Sequence, residues 1–105
     1  MSGSVSKFLA ADFGAESGKI FVGIVEADKI SLEEVHRFPN MQITVDSHLH
    51  WDIQYLFTEL KKGLSLAVQK GHGDISSIGI DTWGVDFGLI GKNGSLIGPP
   101  FAYRD

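Results

Sequence analysis

The chain opens on a short apolar run, Phe8-Leu9-Ala10-Ala11, that stops at Asp12 and Gly14. A run of that length, closed by turn-forming residues, predicts a buried strand. From Lys19 to Ala27 apolar side chains fill both phases of a two-residue alternation: Ile20, Val22 and Ile24 on one, Phe21, Gly23 and Val25 on the other. A strand apolar on both faces expects cover on both. Asp28-Lys29 predicts a tight turn, and Ile30 to Phe38 a third strand with Ile30, Leu32 and Val35 inward. So few residues separate the three that they predict an antiparallel meander, ended by Pro39. Asn40 to His50 reads as a loop with one short extended piece.

The pattern then changes period. Ile53, Leu56, Phe57, Leu60, Leu64 and Val68 recur at helical spacing and predict one apolar stripe. Asp52 stands at the N-cap position, with Trp51 and Leu56 where a hydrophobic staple would lie. Gly71 and Gly73 predict the stop, and Lys70 suits the negative end of the helix dipole. Ile75 to Thr82 predicts a strand with Ile78 and Ile80 inward, joined to the sheet by a crossover. Val85 to Ile90 predicts a further strand, with Asn93-Gly94 as a hairpin turn and Leu96-Ile97 as its return. Three antiparallel strands, a helix and a further parallel strand make an α/β class. One long helix is too little to cover a sheet apolar on both faces, so the domain is expected to be incomplete in this stretch. Residues 1–7 are expected to be a flexible N-terminus. Uncovered faces and strand edges predict self-association.

Composition narrows the class. The 105 residues are 43% apolar and 21% charged, as in ordinary globular domains. A net charge of −4 carries no basic footprint for nucleic acid or an anionic membrane surface. The chain has no cysteine, which excludes a disulfide scaffold and thiolate metal sites and fits a reducing compartment. Met1-Ser2-Gly3-Ser4-Val5-Ser6 lacks the order of a secretory signal, and no apolar run is long enough to span a bilayer. The expected location is the cytoplasm.

Two stretches carry candidate chemistry. In Asp12-Phe13-Gly14-Ala15-Glu16-Ser17-Gly18-Lys19 a carboxylate ends a buried strand, and a turn of small residues returns the chain. Gly14 and Gly18 would let backbone amides approach an anion, Ser17 adds a hydroxyl and Lys19 a positive charge. Asp12 at the strand end could hold Mg²⁺ through water. Those parts suit the phosphates of a nucleotide, and an ordinary hairpin with a solvated lysine would look the same. A Walker A loop is excluded: Ile20 replaces the hydroxyl residue, and a strand follows instead of a helix. In Gly79-Ile80-Asp81-Thr82-Trp83-Gly84-Val85-Asp86-Phe87 two carboxylates flank an indole and a glycine. Asp81 and Asp86 could accept from sugar hydroxyls, Trp83 offers a flat apolar face, and Gly84 frees a backbone group. The structural alternative is a strand bulge at Gly84 with a core tryptophan. His48-Leu49-His50, near Asp52, has the spacing of two metal ligands but no third ligand set.

Taken together, Ala11 to Lys19, Glu34 to Phe38, His50-Trp51-Asp52, Ser77 to Phe87 and Ala102-Tyr103-Arg104-Asp105 resemble the N-terminal part of the FGGY carbohydrate kinases. The resemblance implies a ribonuclease H-like (actin-like ATPase) motif, with residues 8–105 the first part of a kinase's N-terminal domain. It implies ATP and Mg²⁺ as cofactors, Asp12 orienting the metal, Ala15 to Lys19 contacting ATP and Gly84 contacting the sugar; Gly14 joins the candidate ATP-binding residues, and Asp81, Thr82, Trp83 and Asp86 the candidate sugar-binding residues. The Ile80-to-Phe87 run narrows the implied sugar to L-rhamnulose or a related ketose, phosphorylated at its 1-hydroxyl in sugar catabolism. The family's catalytic aspartate lies in sequence beyond Asp105, so this stretch alone is expected to be inactive. Two other classes share the pattern: a ribonuclease H-like nuclease or resolvase using Asp12 and Asp81, and a non-catalytic nucleotide-binding module.

Overall fold

The computed structural model describes residues 4–105. Its main sheet has four strands. Strands β1 (Val5–Phe13), β2 (Ser17–Glu26) and β3 (Lys29–Pro39) form the antiparallel meander the alternation predicts. After helix α1 (Ile53–Gln69) the chain crosses over and lays a further strand, Ser77–Asp81, parallel to β1, giving spatial order β3-β2-β1 and then that strand. Between β3 and α1 lies a hairpin, β4 (Gln42–Val45) and β5 (His48–Trp51), so the parallel strand is β6.

Several local expectations change. β1 begins at Val5, so residues 5–7 of the expected flexible N-terminus are paired strand, while Met1–Gly3 lie outside the described residues. The β2–β3 turn is Ala27-Asp28, one residue earlier than expected, with Ala27 at φ 53°. Ile30 and Leu32 are not inward: they face the side of the sheet away from α1 and are 69% and 61% exposed. The cause is a bulge at Val35, where the pairing steps from Phe21–Glu34 to Ile20–His36. One extra residue shifts the alternation, so Val35 and Phe38 are buried while Ile30 and Leu32 are not. The stretch expected to be mainly loop contains the β4–β5 hairpin. Its turn puts Asp46 and Ser47 at φ 51° and 67°, as two-residue hairpin turns demand.

The core lies between α1 and one face of the sheet: Leu9, Ala11, Ile20, Val22, Val35, Phe38, Leu56 and Ala67. Asp52 caps the helix, accepting from the Tyr55 amide at 3.0 Å. Gly63 faces Ile20, where a Cβ would lie 2.7 Å from the isoleucine side chain, so the helix sits close on β2. The buried face is Leu56, Glu59, Gly63 and Ala67, rotated from the predicted stripe; Ile53, Phe57 and Val68 are exposed. The helix packs on β2 and β3 and leaves β6 uncovered. Ile78 and Ile80 therefore point to the helix side, beside Leu9 and Ala11, yet remain about half exposed. Phe13, Leu56, Phe57, Ile80, Trp83 and Phe87 line the resulting apolar cavity of about 340 Å³.

Beyond β6, Val85 to Ile90 is not a strand. The chain bends at Gly84-Val85, with Val85 at φ 68°, and one bridge, Ile90–Leu96, closes the turn before Ile97. The last residues return to the hairpin: the Trp51 amide donates to the Pro100 carbonyl, and the Ala102 amide to that of Leu49, both at 2.9 Å. Among the described residues no helix is long and apolar enough to cross a membrane.

Candidate functional site

The register of the sheet aligns a row of charged positions across all four strands. Asp81 stands beside Asp12, Asp12 opposite Lys19, and Lys19 opposite Arg37. All four belong to the face away from α1, by the period-two alternation that turns Ile80, Ala11 and Ile20 toward it. Asp12 and Asp81 lie at the C-terminal ends of two adjacent parallel strands, where open α/β sheets place their ligands. The two candidate loops, 14–16 and 82–86, leave from those ends. Thus the structure brings together Asp12, Lys19 and Asp81, which the sequence separates into two distant stretches.

The first loop is a tight turn. The Gly14 amide donates to the Ser17 carbonyl at 2.9 Å, and Asn40 clamps the turn from β3's end, its side chain on the Gly14 carbonyl at 3.0 Å and its amide on that of Glu16 at 2.9 Å. Ala15 and Glu16 contribute no amide to the turn's own backbone hydrogen bonds. Glycine is required at 14, where a Cβ would stand 2.8 Å from the Ser17 carbonyl oxygen. Gly18 has a different reason to be glycine: it is paired within the sheet, and a Cβ there would meet the Phe38 ring at 2.2 Å. Glu16 is answered by Arg104, whose guanidinium comes within 3.5 Å. The Arg37 hydrogen bonds to Glu34, with Lys19 nearby, hold the Glu34 carboxyl below the usual carboxylate range.

Mg²⁺ takes hard oxygen donors and keeps several waters. Asp12 and Asp81 fit that demand: both are exposed, and neither has an ion-pair partner among the described residues. Among those residues no group of three or more His, Asp or Glu side chains closes round a point, so two carboxylates would leave most of the shell to water and phosphate. His48 and His50 are used otherwise. His48 pairs with Asp105 at 2.7 Å, His50 meets the Pro99 carbonyl at 2.9 Å, and both rings pack on Phe101.

The second loop is organised by Asp86. Its Oδ2 accepts the indole N–H of Trp83 and that of Trp51, each at 2.7 Å. The two rings lie 4.4 Å apart at 51°. Trp51, expected as a staple and as part of the His50-Trp51-Asp52 block, is 1% exposed and packs its ring on those of Trp83 and Tyr103. Nothing in its sequence position marks that N–H. Gly84 sits in a bend, not in a strand bulge, and a Cβ there would meet nothing within 4 Å. Asp81 and Thr82 are exposed beside it.

No family model matches the chain. Curated relatives do. It is 49% identical over 98 residues to the rhamnulokinase of Bacteroides thetaiotaomicron, an alignment covering 93% of this chain and 20% of that protein. It is 43% identical over 104 residues to the rhamnulokinase of Mannheimia succiniciproducens, covering 97% and 21%. The chain is similar to one fifth of a rhamnulokinase. The solved structures agree on the fold. Gluconate kinase from Lactobacillus acidophilus superposes with a TM-score of 0.71 at 16% identity, over 97% of this chain and 20% of that one. Xylulose kinase from Rhodospirillum rubrum does so at 0.65 and 15%, over 94% and 21%. The α/β, ribonuclease H-like (actin-like ATPase) arrangement of strands, helix and parallel strand is therefore the fold of this chain. It spans about a fifth of the length of the rhamnulokinases it matches.

Proposed function

We propose that the chain is the nucleotide- and sugar-facing first portion of a cytoplasmic ATP-dependent carbohydrate kinase that phosphorylates L-rhamnulose to L-rhamnulose 1-phosphate in L-rhamnose catabolism. The observation that carries the reading is the pairing of Asp12 with Asp81 at one sheet end, with both loops leaving from there, in a chain 49% identical to a rhamnulokinase. Kinase relatives and kinase-like folds favour this over the nuclease, and the net charge of −4 does too.

In this reading Asp12 orients the metal, and Gly14, Ala15, Glu16, Ser17, Gly18 and Lys19 form the phosphate side. Ala15 and Glu16 offer amides, Ser17 its hydroxyl and Lys19 its charge, while Arg104 offsets the Glu16 carboxylate that would otherwise repel phosphate. Gly18 serves by packing, letting Phe38 hold β2 beneath the turn. Bound Mg²⁺ would neutralise charge on the transferring phosphoryl group. Gly84, Asp81, Thr82, Trp83 and Asp86 form the sugar side. The base comes from sequence outside this chain, so these residues position and bind. The exposed Ile30, Leu32, Ile78 and Ile80 support self-association of the chain when it stands alone.

The test is ADP release by the full-length protein with L-rhamnulose, glycerol, xylulose and gluconate as acceptors. L-rhamnulose should be preferred by orders of magnitude in kcat/KM. Equal use of the four, or nuclease activity on branched DNA without phosphorylation, would overturn the reading.

A further inference from the structure

We propose that Asp86 is a positioning residue: its carboxylate ties Trp83, on the sugar-side loop, to Trp51, at the entry to α1, and acts on the sugar through the Trp83 ring. This deepens the kinase reading and rests on it for the word sugar. The geometry stands without it. One oxygen, Oδ2, receives both indole N–H groups at 2.7 Å, which occupies both of its lone pairs. Both are charge-assisted bonds, stronger than neutral ones, and both are partly buried, beside Phe13, Leu56, Ile80 and Phe87. That oxygen is committed to fixing the two rings, and a ligand hydroxyl would have to turn to Oδ1.

The clamp also has a fixed end. Trp51 is buried, closes β5, and precedes the N-cap Asp52, while its own amide holds the Pro100 carbonyl. The Trp83 ring is therefore referred, through one carboxylate, to a rigid helix start. The 82–86 loop has no regular strand to orient it, and it contains a β-branched residue, Val85, at φ 68°. A loop held in such a conformation needs an outside restraint. A ketose presents one face of C–H groups and a rim of hydroxyls; an indole held at a set tilt selects the face and so the configuration.

The chain has two tryptophans, so its nitrogen-15 spectrum carries two indole signals. Both should lie downfield with slow solvent exchange, and Asp86→Asn should move both upfield together and speed both exchanges. Movement of one alone, or of neither, would overturn the clamp. In the full-length protein, Asp86→Asn should raise the Michaelis constant for L-rhamnulose about tenfold, the scale of turning two charge-assisted hydrogen bonds into neutral ones, with a far smaller change for ATP. Replacing Trp51 by benzothienylalanine keeps the ring and deletes only the N–H. It should reproduce that defect, and the double variant should add little to either. A defect from Asp86→Asn that the Trp51 replacement leaves untouched would mean that Asp86 touches the sugar itself. Should Asp86→Asn fold poorly, the benzothienyl chain still decides: deleting one donor must shift the Trp83 indole signal. A full-length protein that phosphorylates no ketose would sink the kinase reading, and the indole coupling would still be read from the spectra.

Discussion

Gly18 and Gly84 have the same expected purpose, bringing backbone close to a ligand, and the structure separates them. At Gly18 an added Cβ would lie 2.2, 2.6 and 2.8 Å from three atoms of the Phe38 ring, against an ordinary contact of 3.4 Å or more. Phe38 is 3% exposed and belongs to the core, so the ring has little room to retreat. Overpacking of this kind costs about 1–3 kcal/mol. For a domain of this size that is roughly 4–8 °C in melting temperature per kcal/mol. At Gly84 the space is empty to 4 Å and φ is not in the left-handed region, so Gly84→Val should stay within about 0.5 kcal/mol of the parent. The two substitutions should therefore split: Gly18→Ala melts early, while Gly84→Val melts normally. On the proposed reading, Gly84→Val in the full-length protein should then raise the Michaelis constant for L-rhamnulose and spare that for ATP, because its methyls enter open space and not core. Calorimetric melting of both variants and steady-state kinetics of the second are the assays. A Gly84→Val protein that melts several degrees low, with unchanged constants for what survives, would refute the reasoning.

Other outcomes follow from the same geometry. Asp12→Asn in the full-length protein should lower phosphoryl transfer by about two orders of magnitude or more, the usual scale for one electrostatic group at a transition state; an unchanged turnover would leave Asp12 a strand-end residue only. Asp52→Ala removes the side-chain acceptor of the Tyr55 amide and should cost about 1 kcal/mol, read by urea titration. Asp105 is held below the usual carboxylate range by its hydrogen bond to His48 and then by the Leu49 amide. A depressed carboxyl stabilises above its unfolded pKa and loses that contribution as pH falls through its folded value. Hydrogen exchange at the Leu49 amide should accordingly stay slow at neutral pH and quicken only in acid below the ordinary carboxylate range; exchange independent of pH after correction for intrinsic rates would count against the tail anchor.

Much of this was legible in the residues. The meander, the helix with its Asp52 cap and the crossover strand follow from period and turn chemistry, and the first candidate stretch lies at a strand end as expected; the second, expected to interrupt a strand that resumes at Val85, instead leaves the sheet at Asp81. What periodicity could not carry was the third dimension. The Val35 bulge breaks the phase that placed Ile30 and Leu32 inward, and no residue type announces it. The Asp46-Ser47 turn lacks the glycine that usually marks a two-residue hairpin, so β4 and β5 were hidden. The helix stripe was rotated because Gly63, small enough for close approach, counts as nothing on a hydrophobic scale. At the site, the Trp51–Asp86 and Glu16–Arg104 contacts join positions far apart in sequence, and spacing cannot reveal such pairs.

The tie between the tail and the hairpin has a consequence for the order of assembly. Leu49 and Asp105 are 56 positions apart, and their contact encloses α1, β6 and the 82–86 loop within one closed ring of chain. The β1–β2–β3 meander needs only neighbouring segments, so its contacts can form early at small entropic cost. Closing a ring of that length costs more entropy than the short turns of the meander, and docking of α1 and pairing of β6 shorten the span left to close. The tryptophan pair would then take its final geometry among the last events of folding, and slow recovery of the two indole signals behind the sheet amides in a refolding experiment would be its kinetic mark.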